Sequence, residues 1–332
     1  LPDTMADGSP WPRISIVTPS FNQGQYIEET IRSVLLQGYP DLEYIVVDGG
    51  SKDQTPDVIR KYESWLAYWE SKPDKGQAHA INKGFRKASG EIIAWINSDD
   101  FYLHGALCKA ACWLCQGEDI FFIYGGCKVI GEGGHGVDYH MGKYYPDQDF
   151  RAYWDHYVPQ PAAFFLREIL DEVGYLDETL NFVMDYDFWV RCSRSHVLFY
   201  TGEISSAFRL HRTSKTVALK AHFDPELDGA VRRYWGKPLS PTYIRYLLKR
   251  NRHRSGVFRW HAYEALQNGN AAASIWFIWR ALLQDPFFFL NKKFLSTRSL
   301  KHRYLPFLRH LLVCATKGRG SSLPRQERDS KA

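Results

Sequence analysis

With 332 residues, 45% of them hydrophobic and 24% charged, the chain is long enough for one large core or two modest ones and too apolar for wholesale disorder. Its net charge of +5 is lopsided: residues 1–240 carry 24 basic and 33 acidic side chains, residues 241–332 carry 18 and 4. No uncharged apolar run reaches ~18 residues, so a spanning helix is not expected.

The opening residues, LPDTMADGSPWPR, lack the basic start and apolar run of a secretory signal, and residues 1–12 read as a flexible N-terminus. Ile14–Thr18 is a β-branched apolar run ending at Pro19, a buried strand. In YIEETIRSVLLQG, Ile27, Ile31, Val34 and Leu35 recur at helical spacing and Gly38 closes the helix. Glu43–Val47 is the next strand and leads into Asp48-Gly49-Gly50-Ser51. Thr55-Pro56 opens a second helix, with the hydroxyl as cap and proline in the first turn. Ala78–Ala88 reads as a helix, and Glu91–Ile96 as a strand running into Asn97-Ser98-Asp99-Asp100. Such alternation predicts a mainly parallel sheet with right-handed crossovers, whose ligands bind beyond the carboxyl ends of the strands. Those ends carry PSFN, DGGSKD and NSDD.

Further along come a helix over 105–116, a strand over 120–124, a hairpin through GEGGHG, a PQPAAFF segment, a helix over 185–195 and a strand near 197–201. Cys108, Cys112 and Cys115 share i, i+4, i+7 spacing and read as small apolar residues of one buried helix face rather than a zinc site. With no short secreted framework around the six cysteines, a reduced cytoplasmic setting is expected. Pro238 and Pro241 mark a boundary. Beyond it, Lys and Arg alternate with Trp, Phe and Leu. This predicts a basic aromatic helical extension over 238–316, suited to a peripheral position on an anionic membrane surface, and a disordered tail over 317–332.

Two adjacent carboxylates at a strand end repel one another, and a divalent cation relieves that cost. Hard oxygens suit Mg²⁺ or Mn²⁺, ions that keep waters and bridge substrate phosphates. Taken alone, NSDD also fits a turn with a helix cap. Asp48 is placed to accept hydrogen bonds from a base or ribose, or to cap its own loop. Asp185 and Asp187 stand at a helix start, where the dipole favours carboxylates, and a catalytic base is expected as one isolated acid. No GxGxxG follows the first strand and no GxxxxGK[ST] occurs, which weakens dehydrogenase and P-loop readings.

Together, SIVTPSFNQGQYIEETIRSVLLQGYPDLEYIVVDGGSKDQT, DKGQAHAINKGFRKASGEIIAWINSDD, PQPAAFF, GYLDETLNFVMDYDFWVR and FRLHRTSKT make residues 14–215 resemble the family 2 glycosyltransferases, in order and at the family's spacing. The resemblance implies an α/β GT-A type nucleotide-binding domain over 13–237, with a mainly parallel mixed sheet flanked by helices, in an inverting, non-processive enzyme of bacterial type. Pro19, Ser20 and Asn22 would line the nucleotide pocket, Asp48 would lie near base and ribose, and Gln77 and Lys83 near nucleotide and diphosphate. Asp99 and Asp100 match the DxD-type element, Asp100 as the more direct ligand of Mg²⁺ or Mn²⁺. Asp185 matches the catalytic base, with Asp187 second. His211 falls where these enzymes add a metal or phosphate contact, with a structural role as the alternative. The chain departs from the pattern at His79, where many relatives carry an acid, and at Met184, where a glutamate is common. It also lacks the QxxRW signature of processive synthases.

The implied reaction moves a sugar from a nucleotide sugar, most commonly a UDP-sugar, to a hydroxyl of a glycan or lipid-linked acceptor in cell-surface polysaccharide or glycolipid assembly. Two other readings stand beside it: a non-catalytic sugar-nucleotide-binding scaffold and a sugar nucleotidyltransferase. The presence of Asp99, Asp100 and Asp185 together opposes the first. A PSFNQGQ loop without a basic residue opposes the second. Nucleic acid is not an expected partner.

Overall fold

The computed structural model describes residues 2–116, 119–132, 136–142, 158–215 and 220–235, together with Trp276 and residues 278–280. The chain divides into two compact units, Leu1–Tyr246 and Leu247–Ala332. In the second, the described residues are helical and the Arg280 guanidinium lies 5.1 Å from the centre of the Trp276 ring. The rest of the expected 238–316 extension and the whole 317–332 tail lie outside the described residues. Among the described residues, no helix is long and apolar enough to cross a membrane.

The first unit is built on a nine-stranded mixed sheet. Strand β1 (Ile14–Ser20) pairs in parallel with β2 (Leu42–Asp48) on one side and β4 (Ile92–Trp95) on the other, and β3 (Tyr68–Ser71) extends the parallel half beyond β2. Beyond β4 the sheet turns mixed. It runs through β8 (Ala163–Leu166), β6 (Phe122–Ile130) and β9 (Leu198–Arg209) to β5 (Phe101–Tyr102). The expected hairpin is present as β7 (Gly136–Met141), antiparallel to β6.

The β1 run is apolar and β-branched because both its faces are covered. Successive side chains alternate between faces. Ile14 and Ile16 join a core cluster with α1 (Ile27–Leu35), α2 (Thr55–Lys61) and α4 (Ala106–Cys115). Val17 points the other way, toward α3 (Gln77–Lys87), where Gly84 lets the backbones close up. A Cβ built on Gly84 would overlap the Val17 side chain. On that face Trp95 stacks on Trp189 at 5.2 Å and meets Phe85 and Phe188 edge-on, and Phe165 completes the aromatic cluster. Many of the chain's aromatics are therefore core, and they seat α6 (Met184–Cys192) against the sheet.

Two local expectations are corrected. Asp53, rather than Thr55, serves the start of α2: its Oδ1 accepts the Thr55 N–H at 3.0 Å, which leaves the Thr55 hydroxyl to accept the Gln23 N–H at 2.9 Å. The buried face of α4 is Ala106, Leu107, Ala110, Ala111 and Leu114; Cys108 and Cys112 flank it half-buried and Cys115 is exposed. The opening segment ends on a buried Trp11 edge-on to Tyr39 at 5.6 Å, behind a Thr4–Pro10 bridge.

Candidate active site

The carboxyl ends of β1, β2 and β4 converge because the three strands are parallel and in register, with Ser20 opposite Asp48. Asp48 is fully buried. Its Oδ2 accepts the Ser51 N–H at 2.9 Å, the Gly50 N–H at 3.2 Å and the Ser71 hydroxyl at 2.6 Å, and its Oδ1 accepts the Ser51 hydroxyl. Its carboxylate is thus spent on its own loop, with Gly50 in the left-handed region at φ 81°. Asn22, also left-handed at φ 51°, is consumed in the same way: its N–H donates to Ser51 Oγ and its Oδ1 accepts the Lys52 N–H. Pro19 and Ser20 end β1 at this edge. Among the described residues the buried Ser20 Oγ has no hydrogen-bond partner, a polar atom that a ligand or water would satisfy.

The turn after β4 separates its two acids. Asp100 is fully buried. Its Oδ1 accepts the Arg209 backbone N–H at 3.0 Å, and its Oδ2 faces the Asn97 amide at 3.3 Å. Burial, reinforced by the adjacent Asp99 charge, holds its carboxyl well above the ordinary aspartate range. Asp99 keeps 17% of its side chain exposed, and its Oδ2 lies 2.9 Å from His211 Nε2. Thr213 Oγ1 sits 2.9 Å from His211 Nδ1, and a hydroxyl can accept from that nitrogen. Asp99 Oδ2 can only accept, so in this pairing Nε2 carries the proton and the Thr213 hydroxyl donates to Nδ1; moving the proton to Nδ1 would leave the Nε2 lone pair for a metal. Tyr26 packs on the imidazole at 4.6 Å. Arg209 clasps the turn: its Nε donates to the Asp99 carbonyl at 3.1 Å and its guanidinium pairs with Glu29 of α1.

Gln77, at the start of α3, donates through Nε2 to Asn97 Oδ1 at 2.7 Å and accepts the Lys215 ammonium at 3.0 Å through Oε1. Lys83 lies further along the same helix. Six residues beyond Gln77, it has rotated onto another face of α3 and pairs with Glu70 of β3 at 2.7 Å. His79 faces the Lys75 N–H and Glu178, away from the acidic turn.

Helix α6 brings two further acids with opposite surroundings. Asp187 is buried and its oxygens are taken by Arg191 at 3.0 Å, Arg233 at 3.2 Å and the Tyr234 hydroxyl, which makes it a structural anchor rather than a free base. Asp185, half-buried, accepts the Tyr186 N–H at 2.7 Å and makes no ion pair among the described residues. Burial pushes its pKa up to about 6; the Glu226 charge adds to this, and the Tyr186 N–H opposes it. Glu226, on α7 (Lys220–Trp235), gathers the loop ahead of Asp185 by accepting the N–H groups of Asn181, Phe182 and Val183 at 2.5–3.0 Å. Sequence reasoning missed Arg209, Lys215 and Glu226. The first two stand inside the quoted FRLHRTSKT, whereas Glu226 meets its partners 43–45 residues away and leaves no local signal.

Residues 15–174 match the family model described as glycosyl transferase family 2. The chain carries a glycosyl transferase family 2 domain. A relative in Rickettsia typhi, an uncharacterised glycosyltransferase, is 28% identical over 216 residues, or 62% of this chain and 66% of that protein. Three longer Rickettsia relatives are matched over 32–36% of their length, so the chain spans less than two thirds of these curated proteins. Bacillus subtilis TuaG, whose name places it in teichuronic acid biosynthesis, is 33% identical over 132 residues, covering 38% of this chain and 51% of TuaG. Among solved structures, the mannosyltransferase PcManGT from Pyrobaculum calidifontis, crystallised with GDP-Man and Mn²⁺, aligns with a TM-score of 0.55. It is 18% identical and covers 92% of this chain and 79% of that one, a likeness of fold. The architecture is of GT-A type, as the sequence implied. The family 2 match stops at Gly174, ahead of α6 and β9. The chain beyond Gly174 is tied to it by Asn82 bonding to Leu176 and Glu178 and by the Arg209 and His211 contacts to Asp100 and Asp99.

Proposed function

We propose that the chain is an inverting, metal-assisted glycosyltransferase that moves a sugar from a nucleotide sugar to an acceptor hydroxyl in cell-surface polysaccharide or glycolipid assembly. The carrying observation is the Asp99–His211 pair at the carboxyl edge, joined through Asn97, Gln77 and Lys215 to Asn181 on the loop before Asp185. The family match supports the reaction class, and the name of TuaG supports a polysaccharide context.

The donor set fits a divalent ion. One carboxylate and one imidazole already face each other, and Mg²⁺ or Mn²⁺ with two protein ligands completes its shell from phosphate and water. In this reading the more direct ligand is Asp99 and not Asp100. The Asp100 carboxyl is buried and already bonded to Arg209 and Asn97, so it holds the turn while Asp99 faces out. An ion held there supplies Lewis-acid stabilisation to a departing diphosphate.

Asp185 is the base. A carboxylate with a pKa of about 6 is ionised at neutral pH yet accepts a proton more readily than an ordinary aspartate. It takes the proton of the acceptor hydroxyl as that oxygen attacks the anomeric carbon, and the sugar–phosphate bond breaks on the opposite side with inversion. The donor is already activated, so one carboxylate suffices, unlike the pair a retaining hydrolase needs. Testing starts with thermal melting against UDP, GDP, dTDP and CMP, each with and without Mn²⁺. Stabilisation by one nucleoside diphosphate that requires the ion identifies the donor class and supports the reading. Silence across the panel removes it.

A further inference from the structure

We infer that Lys215 is the side chain that grips the diphosphate of the donor, opposite the metal edge. The proposal deepens the glycosyltransferase reading above and rests on it.

A diphosphate needs compensation beyond one ion, and the cation expected for that task, Lys83, is committed to Glu70. Arg209 is committed to Glu29 and to the carbonyl of Asp99. Lys215 makes no direct ion pair among the described residues; desolvation lowers its pKa, and the nearby Glu226 and Asp74 carboxylates oppose that. Its ammonium donates to two neutral oxygens, Gln77 Oε1 and Asn181 O, each at 3.0 Å. An ammonium has three N–H groups, so one remains for an anion. Lysine is a strongly hydrated point charge well suited to phosphate oxygens, whose geometry it need not match.

Its placement is not accidental to the site. The turn from His211 to Lys215 is closed by the Ser214 N–H and hydroxyl, both donating to the His211 carbonyl, at 3.1 and 2.8 Å. One end of the turn sets His211 on Asp99. The other sets Lys215 on Gln77, whose amide grips Asn97 at the head of the acidic turn. The same five residues therefore carry an imidazole facing Asp99 and a positive charge to the two flanks of one short segment.

The test uses the full chain, with affinities measured for UDP, GDP and dTDP and for their monophosphates. Lys215→Met should weaken the nucleoside diphosphate that binds wild type by roughly ten- to a hundredfold, the range for a hydrogen bond to a charged group. The monophosphate should change less than threefold, and Lys215→Arg should restore most of the loss. Equal weakening of diphosphate and monophosphate would make Lys215 a strut for the Asn181 loop and overturn the proposal. Unchanged diphosphate binding in Lys215→Met would overturn it while leaving the glycosyltransferase reading intact. A wild-type chain that binds none of the three would remove both.

Discussion

The two flanks of the carboxyl edge use similar residues to different ends. On the β1–β2 flank, Asp48 accepts four hydrogen bonds and Asn22 two-sidedly stitches its own loop to the next, so the polar groups are consumed by the scaffold. On the β4–β9–α6 flank, Asp99 meets only an imidazole and Asp185 only the neighbouring N–H among the described residues. Both flanks sit at strand or helix ends and both are acidic. What separates them is saturation: an aspartate with every lone pair engaged shapes a loop, and one with lone pairs to spare can take a proton or a metal. The contrast repeats within α6, where Asp187 is enclosed by Arg191, Arg233 and Tyr234 while Asp185, two residues earlier, is not.

Substitutions on the two flanks should therefore fail in different currencies. The largest effect is expected for Asp185→Asn, a loss of roughly 10²–10⁴-fold in turnover with donor binding retained. The same variant should melt higher than wild type at pH 8. A folded pKa raised from 3.8 to about 6 means that the Asp185 contribution to stability is present below about pH 4 and lost as pH rises through 6. Removing the charge recovers about 1–3 kcal/mol at pH 8, and the gain should vanish toward pH 4. Thermal melts at the two pH values check this. Next in size, Asp187→Ala should leave a charge cluster unpaired and cost about 3–5 kcal/mol of stability in a denaturant titration. Asp48→Ala should cost about 1–3 kcal/mol for its orphaned donors, again seen as unfolding rather than as slow chemistry. If Asp48→Ala left stability intact and abolished nucleotide binding, the division between flanks would be wrong. The smallest effect is for Glu226→Gln. It keeps an acceptor for the Asn181–Val183 N–H groups, removes a charge that raises Asp185, and should move the acid limb of the pH–rate profile slightly below its wild-type position near pH 6.

Much of the fold was legible because the parallel half obeys simple periodicities. The β-branched run of β1 and the helical spacing of Ile27, Ile31 and Val34 each state their own structure. Strands of two to four residues do not: YWES of β3, the Phe101–Tyr102 pair of β5 and AFFL of β8 are too short to show an alternation, and tertiary pairing makes them strands. In the site, the residues quoted as motifs lie at the expected edge, but their roles depend on partners far away in sequence. Which of Asp99 and Asp100 is buried is decided by Arg209, more than a hundred residues later, and no property of the NSDD tetrapeptide carries that information. The partner of Lys83 has a local reason: six residues along a helix turn its side chain off the face that Gln77 occupies and toward Glu70.

The central claim is that the Asp99–His211 edge holds a divalent ion on the diphosphate of a nucleotide sugar. The most direct measurement is calorimetric titration of UDP and GDP into wild-type chain, Asp99→Asn and His211→Ala, each with Mn²⁺ and with chelator. The account predicts Mn²⁺-dependent binding of one nucleotide to wild type, with the metal dependence lost in both variants. Binding that ignores Mn²⁺, or metal dependence that survives in Asp99→Asn, would contradict it.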